Sequence, residues 1–384
     1  MRSASSEISR LNDQVIFLIA GEASGDILGA SLIESLKARG YKNFKGVGGM
    51  RMRHAGLVSL FPMHDISVMG LLPVIQKLPK ILFRISQTIH AIVSSTPSCL
   101  IIIDSPDFTH RVARRVRKIA PSIPIINYVS PTVWAWRSGR AKKMCAYIDC
   151  VLALLPFEPE AYRRLSGPRC VYVGHPLLDQ TSVDKTQNLE KIKNAFIIMP
   201  GSRVAEIKRM APIYGAAVDL IKFHIKDLDI VLPVAPNMER LLLEETQKWT
   251  VSPRLISQQE KFAYFEKGRL ALVTSGLATL ELALNQVPMI VAYKVSFVEY
   301  FFRFLIKVNS IVLPNLIVGK NFIPEFIQDR ATAKILAQAI KELLEDGQQR
   351  RQQILMFERV YEALSLSGAK PSDRAAEVIL EYLK

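Results

Sequence analysis

Ala20-Gly21-Glu22-Ala23-Ser24-Gly25-Asp26-Ile27-Leu28-Gly29-Ala30 is the stretch on which the fold turns. Before it, Val15-Ile16-Phe17-Leu18-Ile19 is an unbroken apolar run, the pattern of a parallel strand buried on both faces. After it, Leu28, Leu32, Ile33 and Leu36 recur at helical spacing as far as Gly40, a residue suited to a helix C-cap. The stretch predicts a strand–turn–helix junction, with the helix opening near Gly25. Its glycines let backbone come close to a ligand, and the first helical N–H groups are unpaired donors. Glu22, Ser24 and Asp26 bring side chains to the same mouth, where open α/β sheets bind ligands. A tight turn with a Ser or Asp cap accounts for the same residues without a ligand.

The same grammar runs along the chain. Apolar strand candidates at 15–19, 100–103, 123–128, 150–154, 170–173, 196–199, 230–234, 270–273 and 289–293 alternate with amphipathic stretches. This predicts an α/β protein with mostly parallel sheets. A polar, charged segment at 179–194 separates two such sets, giving domains at 1–178 and 195–384 that face across a cleft. The end of the chain, from 331 onward, reads as helical and charged. A chain of 384 residues, 49% hydrophobic and 22% charged, is long enough for two folded cores. Its net charge of +15 favours an anionic partner: nucleic acid, an anionic lipid surface or a phosphorylated substrate. No helix-turn-helix or aromatic-interleaved basic motif supports nucleic acid. The four cysteines show no C-x-x-C spacing and read as reduced thiols of a cytoplasmic protein. Residues 1–14 are polar without a signal-peptide core, and no apolar run reaches spanning length, so any membrane is met at its surface.

Several stretches carry candidate chemistry. Residues 66–85 are apolar almost all round, with Lys77, Lys80 and Arg84 along them; Pro73 and Pro79 argue against one uninterrupted helix. A buried core helix and an interfacial or acyl-chain-binding surface both fit. Residues 297–307, with five aromatics and Arg303 and Lys307 four apart, read similarly. Ile101-Ile102-Ile103-Asp104-Ser105-Pro106-Asp107 puts two carboxylates just past a strand end: Asp104 can take a proton from an attacking hydroxyl, while Asp107 can orient it or cap the next helix. Arg111, Arg114, Arg115, Arg117 and Lys118 read mostly as a solvated helix face. Residues 128–140 place Trp134, Trp136 and Arg137 in a loop, where the indoles either pack or offer a face to sugar or acyl chain. Pro200-Gly201-Ser202-Arg203 is a strand–turn–helix mouth with Arg203 placed as a diphosphate clamp, and it lacks the Gly-Lys-Ser/Thr of a Walker loop. Thr274-Ser275-Gly276 repeats the architecture, with Glu281 early in the helix as a ribose-diol partner or simply a dipole-favoured acid. No His, Cys and carboxylate cluster has metal spacing.

In order along residues 15–330, the motifs at 20–26, 104–108, 130–137, Pro156-Phe157-Glu158, Gly174-His175-Pro176, 200–203, Ser275-Gly276-Leu277-Ala278-Thr279-Leu280-Glu281 and 313–316 together resemble lipid-A-disaccharide synthases. The resemblance implies the two-Rossmann GT-B fold, an N-terminal acceptor domain and a C-terminal UDP-sugar domain. It implies an inverting, metal-independent glycosyltransferase with no cofactor. That enzyme joins UDP-2,3-diacylglucosamine to 2,3-diacylglucosamine 1-phosphate (lipid X), giving UDP and the β-1,6 disaccharide 1-phosphate of lipid A biosynthesis. It further implies Asp104 as general base on the acceptor 6-hydroxyl, with Glu22 and Asp26 shaping the acceptor side. Gly201, Ser202, Arg203, Ser275, Gly276, Thr279, Glu281 and Asn315 would hold UDP. Met69, Leu71, Leu72, Trp134, Trp136 and Arg137 would meet acceptor and lipid. A peripheral position on the cytoplasmic face of a Gram-negative inner membrane follows, with segments beyond about 330 that pack back or exchange between the subunits of a homodimer. Leu277 stands where many relatives carry Thr, removing one hydroxyl from the phosphate contacts. Two rival enzymes of the same fold, the transferase of peptidoglycan's lipid-linked precursor and UDP-GlcNAc 2-epimerase, fit the 130–136 stretch and the Asp104/Asp107 pair less well. A lipid-binding protein without turnover is the non-enzymatic alternative.

Overall fold

A computed structural model describes residues 14–67, 71–180, 194–295, 308–345, 347–366 and 368–383, with backbone alone for 71–76 and 180. The chain divides into two compact units: the first runs to Pro176 and takes in Ser365–Lys384, and the second is Leu177–Leu364. The first holds seven parallel strands, β1 (Val15–Ala20), β2 (Asn43–Val47), β3 (Leu57–Ser59), β4 (Cys99–Ile103), β5 (Ile125–Tyr128), β6 (Cys150–Ala153) and β7 (Arg169–Tyr172), in the order 3-2-1-4-5-6-7. The second holds six, β8 (Ala195–Met199), β9 (Asp229–Pro233), β10 (Arg254–Ile256), β11 (Gly268–Val273), β12 (Met289–Tyr293) and β13 (Glu325–Ile327), in the order 10-9-8-11-12-13.

Each central strand feeds two cores by residue parity, as a strand with side chains on alternate faces must. Ile16, Leu18 and Ala20 of β1 join the core under the helix Ala23–Lys37, while Phe17 and Ile19 join the one under the helices Leu71–Ser95 and Pro106–Ile119. In the second unit Phe196 and Ile198 face one core, Ala195 and Ile197 the other. Both sheets are thus covered on both faces, which explains why their strands read as continuous apolar runs.

All nine expected strands occur, with ends shifted by a residue or two, and β2, β3, β10 and β13 are additional. These four are short, polar-interrupted strands at or beside sheet edges, where half the side chains need no burial. The segment expected to break at its prolines is one helix, Leu71–Ser95. Pro73 lies in the first turn, where an N–H has no intrahelical acceptor. Pro79 is flanked by Lys80 and Arg84, which both pair with the buried Asp65 and fasten the helix below the proline. Met69 lies outside the described residues, as do the side chains of Leu71 and Leu72, and residues 297–307 are not described.

The end of the chain differs from expectation. The helix Pro371–Leu380 buries Ala375, Ala376, Val378 and Ile379 in the core of the first unit, not the second. Arg39 pairs with Asp373 at 3.0 Å and Arg169 with Glu381 at 2.6 Å. The apolar stripe predicts a helix; it cannot say which sheet the helix covers. Among the described residues no helix is long and apolar enough to cross a membrane.

Candidate active site

In each sheet the strand order reverses at one place, between β1 and β4 and between β8 and β11, and ligands of open α/β sheets bind beyond the carboxyl ends of strands at such a reversal. The two pairs of loops singled out by residue type leave the sheets there.

In the first unit, Gly21 follows β1 and Asp104 follows β4. A Cβ at Gly21 would stand 2.4 Å from Ser105 Oγ, so only glycine lets the two loops close on each other. Ser105 Oγ donates to Glu22 Oε1 at 3.3 Å. Asp104 and Ser105 are both left-handed, at φ 53° and 44°, and such backbone costs about 1–3 kcal/mol per residue and collects at functional sites. The Ser105 N–H donates to Asp104 Oδ1 at 2.8 Å, and Thr109 Oγ1 donates to the Asp104 carbonyl at 2.8 Å. Burial lifts the Asp104 carboxyl above the usual carboxylate range, and the Ser105 N–H partly opposes it. A raised carboxyl is a better proton acceptor once ionised. The next residue, Ser105, lines a cavity of about 500 Å³ together with Glu22 and Asp107, walled by Ile66, Leu78, Ile81 and Phe108.

Asp26 is not open to a ligand. It is 6% exposed, and its carboxylate accepts from the N–H groups of Gly49 (2.8 Å), Arg51 (3.0 Å) and Met52 (3.0 Å), tying the helix Met50–His54 to the first helix. Trp134 is also engaged: its Nε1 donates to Glu158 at 3.0 Å and its ring meets Phe157 edge-on. Trp136 remains exposed, with Arg137 over its ring at 4.2 Å.

In the second unit, Gly201 takes φ 122° after β8, and a Cβ there would meet Glu206 Cβ at 2.6 Å. Glu206 has drawn close because it fills the mouth of the helix Val204–Leu220. Its carboxylate accepts from Ser202 N (3.1 Å), Arg203 N (3.3 Å) and Arg203 Nη1 (2.9 Å), and from the Tyr293 hydroxyl at 3.2 Å. A carboxylate thus occupies the spot that a helix N-terminus offers to phosphate. Ser202 and Arg203 are exposed, as is Gly276 after β11. Ser275 Oγ donates to the Ile311 carbonyl, and the buried Thr279 donates to the Gly276 carbonyl at 2.8 Å. Glu281 lies in the second turn of Leu277–Leu284, not the first, so the dipole does not explain it; both its oxygens lie 2.9 Å from Lys261 Nζ. Asn315 is 1% exposed and makes four hydrogen bonds, to Phe322 N, Ile323 N, Ile323 O and Glu325. All four of its donor and acceptor positions go to its own loop, so it positions residues 313–325 and does not reach outward. Among the described residues no three His, Cys, Asp or Glu side chains could share a metal ion.

A family model described as lipid-A-disaccharide synthetase matches residues 16–379. The lipid-A-disaccharide synthase of Nitrobacter hamburgensis is 45% identical over 377 residues, covering 96% of this chain and 95% of its own. That of Rhodospirillum centenum is 37% identical over 96% of this chain and 94% of its own. The chain belongs to the lipid-A-disaccharide synthase family. Solved structures share its fold at low identity. The UDP-GlcNAc 2-epimerase of Neisseria meningitidis superposes with a TM-score of 0.61 at 12% identity, over 96% of this chain and 99% of its own. MurG of Acinetobacter baumannii gives 0.57 at 12%, over 96% and 99%. The epimerase reading thus shares the fold, and sequence places the chain in the synthase family.

Three residues escaped sequence reasoning. Glu206 was visible as an acid three past Arg203, the spacing of a capping box. Lys261 carries no local signal, since it reaches Glu281 from another helix. Glu158 enters the sequence reading only as the end of the Pro156-Phe157-Glu158 motif, with no role, yet it is 3% exposed and accepts from Leu155 N at 2.9 Å and from Trp134. Burial pushes its carboxyl up to about 7, against those hydrogen bonds. The folded state therefore holds this proton more tightly than the unfolded chain does. The resulting stability is fully present below the ordinary carboxyl pKa and is lost as pH rises through about 7. Thermal melts from pH 5 to 8 are expected to show a decline on the order of 2–4 kcal/mol that Glu158→Gln flattens. Parallel slopes for both proteins would remove Glu158 as its source.

Proposed function

We propose that the chain joins UDP-2,3-diacylglucosamine to 2,3-diacylglucosamine 1-phosphate, releasing UDP and inverting the anomeric centre to give the β-1,6 disaccharide 1-phosphate. The observation that carries this reading is Asp104, held left-handed at the sheet's reversal next to an apolar-walled cavity of about 500 Å³. A sugar bearing acyl chains needs both parts: a base for its hydroxyl and a wall for its lipid.

In this mechanism Asp104, ionised, takes the proton of the acceptor 6-hydroxyl as the oxygen attacks the donor's anomeric carbon. Glu22 fixes the Ser105 side of the loop. The bond to the diphosphate breaks with its electrons, and the charge appearing on the leaving oxygens meets Arg203, the N–H groups at Ser202 and the Gly276 turn. Arg203 is 75% exposed and among the described residues pairs only with Glu206, three residues on, so it can turn to a diphosphate when the carboxylate is displaced. Glu281, braced by Lys261, offers carboxylate oxygens to the ribose diol.

The protein works, on this reading, as a peripheral enzyme on the cytoplasmic face of the inner membrane. Leu78, Leu82 and Phe83 are 40, 45 and 62% exposed on one helix that also carries the exposed Lys77, an apolar face with a cation for lipid headgroups. The deciding assay is UDP release in neutral detergent micelles without added divalent metal, with each lipid alone and with both. Release that needs both lipids and yields a disaccharide supports the proposal; a folded protein that binds UDP yet stays silent with both overturns it.

A further inference from the structure

A second cavity, of about 470 Å³, lies in the first unit against the acceptor cavity and shares Pro106, Asp107 and Arg111 with it. Its lining brings in four more cations: Arg114, Arg137, Arg140 and Lys143. Among the described residues none of these five basic side chains pairs with a carboxylate. Arg114 lies over the Tyr147 ring at 4.8 Å and donates to its hydroxyl at 3.3 Å, and Arg137 lies over Trp136. The remaining titratable lining groups do not offset them. Asp107 is a single exposed acid, and His110 is buried, its Nδ1 3.0 Å from the Tyr147 hydroxyl. Burial, followed by the Arg140 and Arg114 charges, pushes His110 down to about 3, so it adds no proton of its own at neutral pH.

Five like charges round one hollow repel one another and focus a positive potential into it. Such an arrangement is stabilised by an anion that takes several N–H donors at once, which is the property of a phosphate monoester facing guanidinium groups. Two further features favour it. The first two turns of the 14-residue helix Pro106–Ile119 supply four of the lining residues, at the end whose dipole attracts anions. Arg137 is held left-handed at φ 54°, a conformation costly for a non-glycine residue and common at functional sites.

We propose that this cavity binds the phosphate monoester of the acceptor lipid and so selects the acceptor by its charge. The inference rests on the transferase reading above. Its shared Asp107 and Arg111 put the anion next to the acceptor cavity, whose lining residue Ser105 directly follows Asp104, so one sugar ring bridges the two. An anionic phospholipid headgroup carries the same chemistry, and the experiment separates the two sources.

The test compares binding of 2,3-diacylglucosamine 1-phosphate with binding of the same lipid lacking its phosphate, by tryptophan fluorescence in neutral micelles. The native protein is expected to prefer the phosphorylated lipid by about tenfold or more, a preference that Arg140→Gln with Lys143→Gln reduces to within about twofold. The acceptor KM of that double variant rises by about the same factor while the donor KM moves less than about twofold. Arg137→Gln, outside any helix, gives the same direction and guards against a folding defect in the double variant. Equal affinity of the native protein for both lipids overturns the proposal. So does a defect seen only on vesicles containing phosphatidylglycerol, since the pocket then reads membrane headgroups. Selective binding of the phosphorylated lipid by a protein that never releases UDP would leave the phosphate site standing and sink the transferase reading instead.

Discussion

Asp104→Asn is expected to lower kcat by about 10²–10⁴-fold, the range a positioned general base contributes, while UDP affinity stays within about twofold. Asparagine is the informative replacement. It keeps the side-chain oxygen that accepts from the Ser105 N–H, and it is among the few residues at ease in the left-handed conformation that position 104 demands. What it removes is the ability to take a proton. Because burial already disfavours the ionised carboxyl, the neutral amide is expected to melt no lower than the native protein. The pH profile follows from the same fact. The base must be ionised to act, so kcat/KM of the native enzyme falls as pH drops through the raised Asp104 pKa. A variant with near-normal turnover would move the base role to Glu22, which lines the cavity directly.

Arg203→Gln is expected to cost about 10²–10³-fold in kcat, near 3–4 kcal/mol, because its charge is called on most as the leaving diphosphate forms. UDP affinity should fall by less, since the backbone N–H groups at Ser202 and Arg203 remain. Those donors are now held by Glu206, so a diphosphate must displace a carboxylate before it can bind. Glu206→Gln, which weakens that internal competitor, should partly restore UDP affinity in the Arg203→Gln background. Calorimetric UDP titrations together with single-turnover rates separate the two effects. A single-turnover rate within about threefold of native for Arg203→Gln would exclude it as the leaving-group partner.

The sequence by itself determined the nine apolar strands, the class and the family. Runs such as Val15–Ala20 and Cys99–Ile103 are apolar at every position because both faces of their sheets are covered, and that pattern needs no partner to be read. The residue types at 104, 203 and 275 likewise announced chemistry at strand ends. Tertiary structure alone decided which loops meet, because strand order in a sheet is set by packing and not by position in the chain. Gly21 lies against Ser105 only because β1 neighbours β4, although 83 residues separate Glu22 from its partner Ser105. The same reason sorted the candidates. Asp26 and Asn315 look like ligand-binding groups in sequence, and the fold gives every acceptor they have to nearby backbone N–H groups. The reverse holds for Arg111, Arg114, Arg137, Arg140 and Lys143. In sequence Arg111 and Arg114 read as a solvated helix face, Arg137 as an acceptor contact and Arg140 and Lys143 carry no signal, and only the fold gathers all five round one hollow.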